Sequence, residues 1–477
     1  MTGIYAAMST AWVHSSEVND PYQGEAEARC MICDVSFHIG RHRTNGEHPS
    51  AAWNSHTDDD IEEAYPRRQY CEQPDCTSIP RAGSEHRTCL LAPRNLDYIR
   101  FEHVSGPNCR STGAYHGSRI SAEAMRECNT YQNLVAAFLC DGEPREFERE
   151  DFENLGMYAL NGLGDPAKYS QRGRDKAYAF PNRCDSPSGD DLKAGDMSFH
   201  PTCFEIFKRA SIYRYGFVHV DALTNWADVR GEPKFQLPEH AAVKRARQRL
   251  WLHHAGDEFL AANPCFVPGL QDIFDSVQNI CSSDDISSDV TSPNSTDIFS
   301  KLPQEIKLEI LLQLDSWDIA NLRLSSRTFR HLPQSLFYHL TLRELPWLYE
   351  AWTSAPLSFF VTTTAAEQRR LGKPLDKVRF QLAGRRKWGG GSEEEAADIA
   401  RLAAEEVELA ERQRQSYRTT PVKMLDRGRT NWTRLRGELS RRWGELPGLR
   451  NRRRIWNNCQ EIMEIVDKYR LLYDDTD

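Results

Sequence analysis

The sequence predicts a multidomain chain: an α+β N-terminal domain over residues 1–275, a small three-helix module over 298–345, and a mainly α-helical, partly basic C-terminal region over 346–477. Three observations lead there. A chain of 477 residues exceeds what one hydrophobic core usually serves. Residues 276–297, SVQNICSSDDISSDVTSPNSTD, are dense in Ser and Asp and poor in aromatics, so they bury too little surface to order themselves and read as a linker. The two sides of that linker also differ in kind. The N-terminal side mixes short aromatic and β-branched runs with turn signals such as Gly106-Pro107, whereas 393–415 is rich in Ala, Glu and Leu without Pro or Gly.

Hydrophobic residues make up 39% of the chain and charged residues 27%, with 11 Trp and 20 Phe, enough for most of it to be globular. A formal charge of −9 argues against a protein that coats nucleic acid along its length. No apolar run approaches the roughly 20 residues of a membrane-spanning helix. The opening MTGIYAAMSTAWVHSSEVNDPY has neither a basic leader nor a long apolar run, so a cytoplasmic or nuclear location is the expectation. Thirteen scattered cysteines then favour thiols and metal ligands over a disulfide framework.

Within 1–275 the patterns suggest three helices. One is expected from Ser121 as N-cap, with Glu123 in its first turn and Met125, Cys128, Gln132 and Val135 on one side. A second follows Pro201 and aligns Phe204, Phe207 and Ser211; a third spans about 239–261 with Val243, Leu250 and Phe259. Cys30-Met-Ile-Cys33 is a turn that can aim two thiolates at one tetrahedral ion. His200 and Cys203 offer a second half-site, because Pro201 opens a helix between them and a long intervening loop costs little closure entropy. His103 with Cys109 is a competing second pair, and Cys71 with Cys76 or His86 with Cys89 are further options. The spacing supports at least one structural zinc; the other readings are cysteines buried as small hydrophobes and, with no thioredoxin-like pattern around Cys30, a redox pair. His253, His254, Asp257 and Glu258 read as exposed rather than metal-binding.

The central stretch is LPQEIKLEILLQLDSWDIANLRLSSRTF, residues 302–329. Pro303 suits the first helical position, Glu305 complements the helix dipole, and Ile306, Ile310 and Leu314 repeat every four residues. Leu308, Leu311 and Leu312 widen that stripe beyond what one small bundle can cover. Asp315-Ser316 ends the helix, Asp318 is placed to cap a second carrying Ile319 and Leu322, and Phe329 and Leu332 fold back on the first. A unit of some 40 residues rarely stabilises itself, so it reads as an interaction module.

At Leu302, Pro303, Glu305, Ile306, Ile310, Leu311, Asp318, Leu322, Arg323, Ser326, Arg327 and Phe329 the sequence resembles the F-box family. Ala320 stands where many members carry a larger apolar residue. Together with CMICDVSF, FEHVSGPNCRSTGAYHGSRISAEAM, FHPTCFEIF and LRNRRRIW, the chain is similar to fungal F-box proteins with a cysteine-containing N-terminal region. Such proteins often continue well beyond LRNRRRIW, implying a chain without a further C-terminal domain. The resemblance implies a substrate-receptor subunit of a Skp-cullin-F-box ubiquitin ligase that binds an unknown protein target and catalyses nothing itself. Leu302, Pro303, Glu305, Ile306, Ile310, Leu311, Leu314, Ile319 and Leu322 would face the Skp-type adaptor, through which a cullin is reached, in a helix-in-groove contact.

Beyond this module, Gly389, Gly390 and Gly391 read as a hinge before the 393–415 helix, and Trp456, Cys459, Met463 and Val466 mark one face of a last helix. The basic clusters Arg385-Arg386-Lys387 and Arg452-Arg453-Arg454 read first as solvated helix faces. An alternative function, a zinc-containing nuclear regulator, would use them on nucleic acid. No Walker loop, nucleophile elbow, dinucleotide fingerprint or HExxH helix is present, so no enzyme activity is expected.

Overall fold

A computed structural model of the chain describes residues 29–53, 71, 73–80, 101–136, 158–160, 162–164, 197–231, 233–247, 251–278, 297–388 and 392–473. Among the described residues the N-terminal side holds three small sheets. β1 (Arg41–His42) pairs in parallel with β4 (Tyr115–His116); β2 (Thr77–Pro80) pairs antiparallel with β3 (Phe101–Val104); β5 (Gln132–Ala136) lies between antiparallel β6 (Tyr158–Leu160) and β7 (Met197–Phe199). Twelve α-helices follow among the described residues. The first four are α1 (Pro201–Tyr215), α2 (Val220–Val229), α3 (Ala241–Ala246) and α4 (Leu270–Val277).

Two of the three expected helices differ. The segment after Ser121 makes one helical turn, Met125 N–H to Ser121 O at 3.2 Å, and then breaks, because Glu127 adopts a left-handed φ of 62°. Gln132 and Val135 leave helix altogether: residues 132–136 form β5, paired antiparallel on both sides. The third helix stops at Ala246, since the backbone turns at Arg247 to send Trp251 and His253 inward. His253 is accordingly buried rather than exposed, its Nδ1–H donating to Thr112 O at 3.1 Å and its Nε2 accepting from Gly40 N–H at 3.0 Å. Asp257, also buried, pairs with Arg245 at 2.6 Å. Leu250 and Gly389 to Gly391 lie outside the described residues, as does most of the expected linker. Val277, fully buried, carries the ordered N-terminal side two residues into that linker.

The central module contains α5 (Gln304–Gln313), α6 (Ser316–Ser325) and α7 (Gln334–Glu344). After it come the single turn α8 (Phe359–Thr362), the hairpin of α9 (Ala365–Trp388) and α10 (Glu393–Ser416), then α11 (Trp432–Arg441) and α12 (Pro447–Tyr473). The Ser392/Glu395 capping box starts α10, and the hairpin closes on a small core of Val378, Leu382 and Leu402.

The main core ignores the sequence boundary at the linker. Residues from Cys30 to Val277 and from Trp347 to Val466 share one hydrophobic cluster, because α12 packs across α1 and α2 with Trp456, Cys459, Met463 and Val466 inward. Its first turn fits only as glycine: a Cβ on Gly448 would stand 2.4 Å from the Asn263 carbonyl oxygen. The C-terminal region is therefore half of the N-terminal region's core rather than a separate unit. At the centre, Tyr349 lies between two guanidiniums, Arg209 at 4.1 Å and Arg452 at 4.2 Å from the ring, and Arg452 pairs with Glu350 at 2.8 Å. Arg452→Ala would strand Glu350 in the core and is expected to destabilise the chain by about 3–5 kcal/mol. A shift of the urea midpoint to match is the measurement; a midpoint within error of wild type would contradict it.

Candidate functional site

The first candidate site is the outer face of α5 and α6. Pro303 lacks an N–H to leave unpaired and stands just before Gln304, the first helical residue. The cap of α6 is Asp315, not Asp318: Asp315 is extended and its carboxylate accepts from Asp318 N–H at 2.8 Å. At the base of the module, the Asp297 carboxylate accepts from Ser326 Oγ at 2.6 Å, Thr328 Oγ1 at 2.7 Å and Thr328 N–H at 3.1 Å. These bonds, the one from Ser326 foremost, hold its pKa well below the usual carboxylate range.

Leu311, Ile319, Phe329, Leu336 and Leu340 form the module's own core. Leu311 and Ile319, expected on a partner face, are thus turned inward, as two short helices need their largest paired aliphatics to hold each other. Leu302, Ile310, Leu314 and Leu322 are half-buried, while Pro303, Glu305 and Ile306 are exposed. Sequence reasoning passed over two residues of this face. Trp317 is 75% exposed and Leu324 is 89% exposed, and they share one side of α6 with Ala320. The i, i+3, i+7 spacing of 317, 320 and 324 was the signal available for it. Ile298, also exposed, adds an apolar side chain at the module's start.

The third helix of the module holds this face away from the body. Phe337, Tyr338 and Leu342 of α7 pack on the main core, Gln334 Oε1 accepts from Trp432 N–H at 2.9 Å, and the Tyr338 ring meets Trp432 at 4.9 Å. The start of α6 also meets the body, Arg436 Nη2 of α11 donating to Ser316 Oγ at 3.4 Å.

The second candidate site is a metal centre. Cys30 to Cys33 turn back on themselves through Cys30 N–H to Val35 O at 2.9 Å and Asp34 N–H to Cys30 O at 2.8 Å, with Asp34 left-handed at φ 56°. Met31 N–H donates to Ser198 O at 2.9 Å, fastening this turn to β7, whose next residue is His200. Pro201 opens α1, so Cys203 sits in the first helical turn, where burial first, and then the Cys30 and Cys33 sulfurs, push its thiol well up. The four side chains Cys30, Cys33, His200 and Cys203 are all buried, with ligand atoms within 4.8 Å of one another. His200 Nδ1 stands 3.5 Å from Cys33 Sγ and 3.7 Å from Cys203 Sγ. Bonds of about 2.3 Å to sulfur and 2.0–2.1 Å to nitrogen around a tetrahedral ion imply a sulfur–nitrogen edge of about 3.6 Å, so the residues fit zinc.

The electrostatics agree with that fit. Burial pushes the Cys33 thiol up, but hydrogen bonds from Cys203 and Cys30 and the nearby His200 charge hold it well below its ordinary value. Burial opposes charge on His200, yet the Cys30 and Cys33 sulfurs raise its imidazole to about 10. A cation among the sulfurs would meet the same charge that raises His200. Helix α12 closes over it: Arg454 Nη1 donates to Cys33 O at 2.7 Å, Asn458 Nδ2 to Ile32 O at 3.0 Å, and Cys459 is fully buried beside the turn.

His103 and Cys109 do not join Cys30 and Cys33; they lie with Cys71 and Cys76 in another group. His86 and Cys89 are outside the described residues. The basic-face readings also change. Arg452 and Arg454 are buried, spent on Glu350, Pro264 O, Asn451 and Cys33 O, so of this cluster only Arg453 is left on a solvated face. Arg385 remains exposed and pairs with Asp398 at 3.3 Å. No described helix is long and apolar enough to cross a membrane.

A family model for the F-box domain matches residues 299–340. Among curated proteins, the mitochondrial ATP-dependent RNA helicase mss116 of Aspergillus oryzae is 42% identical over 45 residues. That segment is 9% of this chain and spans 7% of the helicase, so it conveys no shared architecture. No solved structure matches.

Proposed function

We propose that this chain is a non-catalytic adaptor of a Skp-cullin-F-box ubiquitin ligase, binding a Skp-type subunit through the outer face of its F-box and a protein target through the body. The observation that carries this is the division of the module's apolar residues into two sets. An inner set of Leu311, Ile319, Phe329, Leu336 and Leu340 closes the bundle. An outer set that includes Ile306, Trp317 and Leu324 is left exposed on α5 and α6. Isolated exposed apolar residues are ordinary, but several on two adjacent helix faces favour a partner. Zinc at Cys30, Cys33, His200 and Cys203 would brace the body through the closure of α12, supplying fold energy and no reaction. A cytoplasmic or nuclear location belongs to the same proposal.

Affinity purification of the full chain, followed by identification of co-purifying proteins, tests the adaptor and the target together. Replacing Leu302 and Pro303 together by alanine is expected to abolish recovery of the Skp-type subunit without loss of soluble protein. Undiminished recovery would count decisively against the assignment.

A further inference from the structure

We propose that Cys71, Cys76, His103 and Cys109 form a second zinc site, so that the folded chain holds two zinc ions, one sealed in the core and one open to exchange. This inference is independent of the F-box reading. The four residues come in two pairs, Cys71 with Cys76 and His103 with Cys109, from two stretches of backbone that the fold brings to one point. Cys76 immediately precedes β2, His103 sits on β3 opposite Ser78, and Cys109 ends the turn that follows β3. That turn is pressed against the Cys76 segment. A Cβ on Gly106 would lie 2.4 Å from Asp75 O, so only glycine permits the approach, and Gly106 N–H then points to Cys76 Sγ at 3.4 Å. Asn108 N–H donates to Asp75 Oδ2 at 2.9 Å from the same turn.

The distances are those of a tetrahedral set. Cys71 Sγ is 3.7 Å from Cys76 Sγ and 3.8 Å from Cys109 Sγ, against a sulfur–sulfur edge of about 3.8 Å around zinc. His103 Nε2 is 3.2 Å from Cys109 Sγ, and the four ligand atoms all lie within 4.8 Å. A disulfide, with sulfurs about 2.05 Å apart, would use two thiols and strand the third, whereas one ion uses every member. His42 and His116 gather with Cys109 as well, but that group has only three members and shares its sulfur. His116 Nε2–H is committed to Ser111 O at 2.9 Å, and the His42 ring packs edge-on to His103 at 4.6 Å. We therefore give His42 a positioning role behind His103.

The two sites differ in access. All four ligands around Cys30 are buried, whereas Cys71, Cys76 and His103 are half-buried, which leaves a route for chelators. Structural zinc sites with four protein ligands hold their metal tightly, so exchange here should follow exposure.

Metal analysis of the full-length protein is expected to give two zinc ions per chain. EDTA should remove one, and the other only after denaturation. Cobalt(II) added to the EDTA-treated chain should then give the intense visible bands of a tetrahedral thiolate site. Cys109→Ser should lower the count to one and abolish the cobalt bands, while His116→Gln should keep both ions. Because Cys109→Ser could disturb folding, the cobalt spectrum of the unmutated chain serves as the second readout. A count of one that Cys109→Ser leaves unchanged, or a disulfide mapped to Cys71, Cys76 or Cys109, would overturn the second site alone. A count of one in His116→Gln would transfer the ligand set to the histidine group and overturn the assignment.

Discussion

Trp317→Ala combined with Ile306→Asp is expected to weaken capture of a Skp-type adaptor by at least about 30-fold, the effect of losing one aromatic anchor worth about 2 kcal/mol or more. The charge placed at 306 would add a desolvation cost on any apolar partner surface. The fold should be indifferent: both side chains are largely in solvent, and substitutions at such positions usually shift stability by no more than about 0.5 kcal/mol. Leu311→Ala provides the contrast. It opens a cavity in the module's core, so its effect on capture should come with lost stability of about 2–5 kcal/mol. Titration calorimetry against a purified adaptor, alongside thermal melts of each variant, separates the two. Equal affinity for the Trp317/Ile306 double variant and wild type would mean that the outer face is not the docking surface.

Loss of the ion at Cys30, Cys33, His200 and Cys203 is expected to unfold the body, not merely loosen it. Zinc contributes about 10–16 kcal/mol to small zinc-dependent folds, comparable to the whole stability of about 5–15 kcal/mol of an ordinary domain. Here the ion would also join elements far apart in sequence. The Cys33 carbonyl is held by Arg454, so a disordered knuckle releases α12 and uncovers the Trp456, Ile462 and Met463 side of the core. Cys203→Ser should therefore yield protein without near-ultraviolet tryptophan dichroism and with rapid proteolysis. Acid should act the same way, because the thiolates must be protonated as the metal leaves and affinity falls with pH. A Cys203→Ser chain with wild-type dichroism and melting would show that the centre is not structural. Because the core spans both sides of residue 278, the assay needs the full chain.

Several features were legible from residues alone because their causes are local. Pro201 opens α1, the Ala-, Glu- and Leu-rich stretch 393–415 forms α10, and Ile306 and Ile310 of the four-residue repeat lie on α5, which ends just before Leu314. The pairing of Cys30 and Cys33 with His200 and Cys203 could be ranked first because a turn and a helix start present ligands by their own geometry. The helix expected after Ser121 failed where local preference met a stronger claim. Residues 132–136 complete a sheet with segments far along the chain, and a ladder of backbone bonds outweighs a helical pattern of side chains.

By itself the sequence determined where α1 begins, which short segment carries an F-box, and which cysteines and histidines can present ligands, since each depends on neighbours within a few positions. Tertiary structure alone decided that Arg452 and Arg454 are interior, that α12 completes the N-terminal core, that Leu311 and Ile319 face inward while Trp317 faces out, and that His103 and Cys109 meet Cys71 and Cys76. The physical reason is that burial and ligand distance are properties of surfaces brought together across hundreds of residues, and one-dimensional spacing holds no measure of that approach.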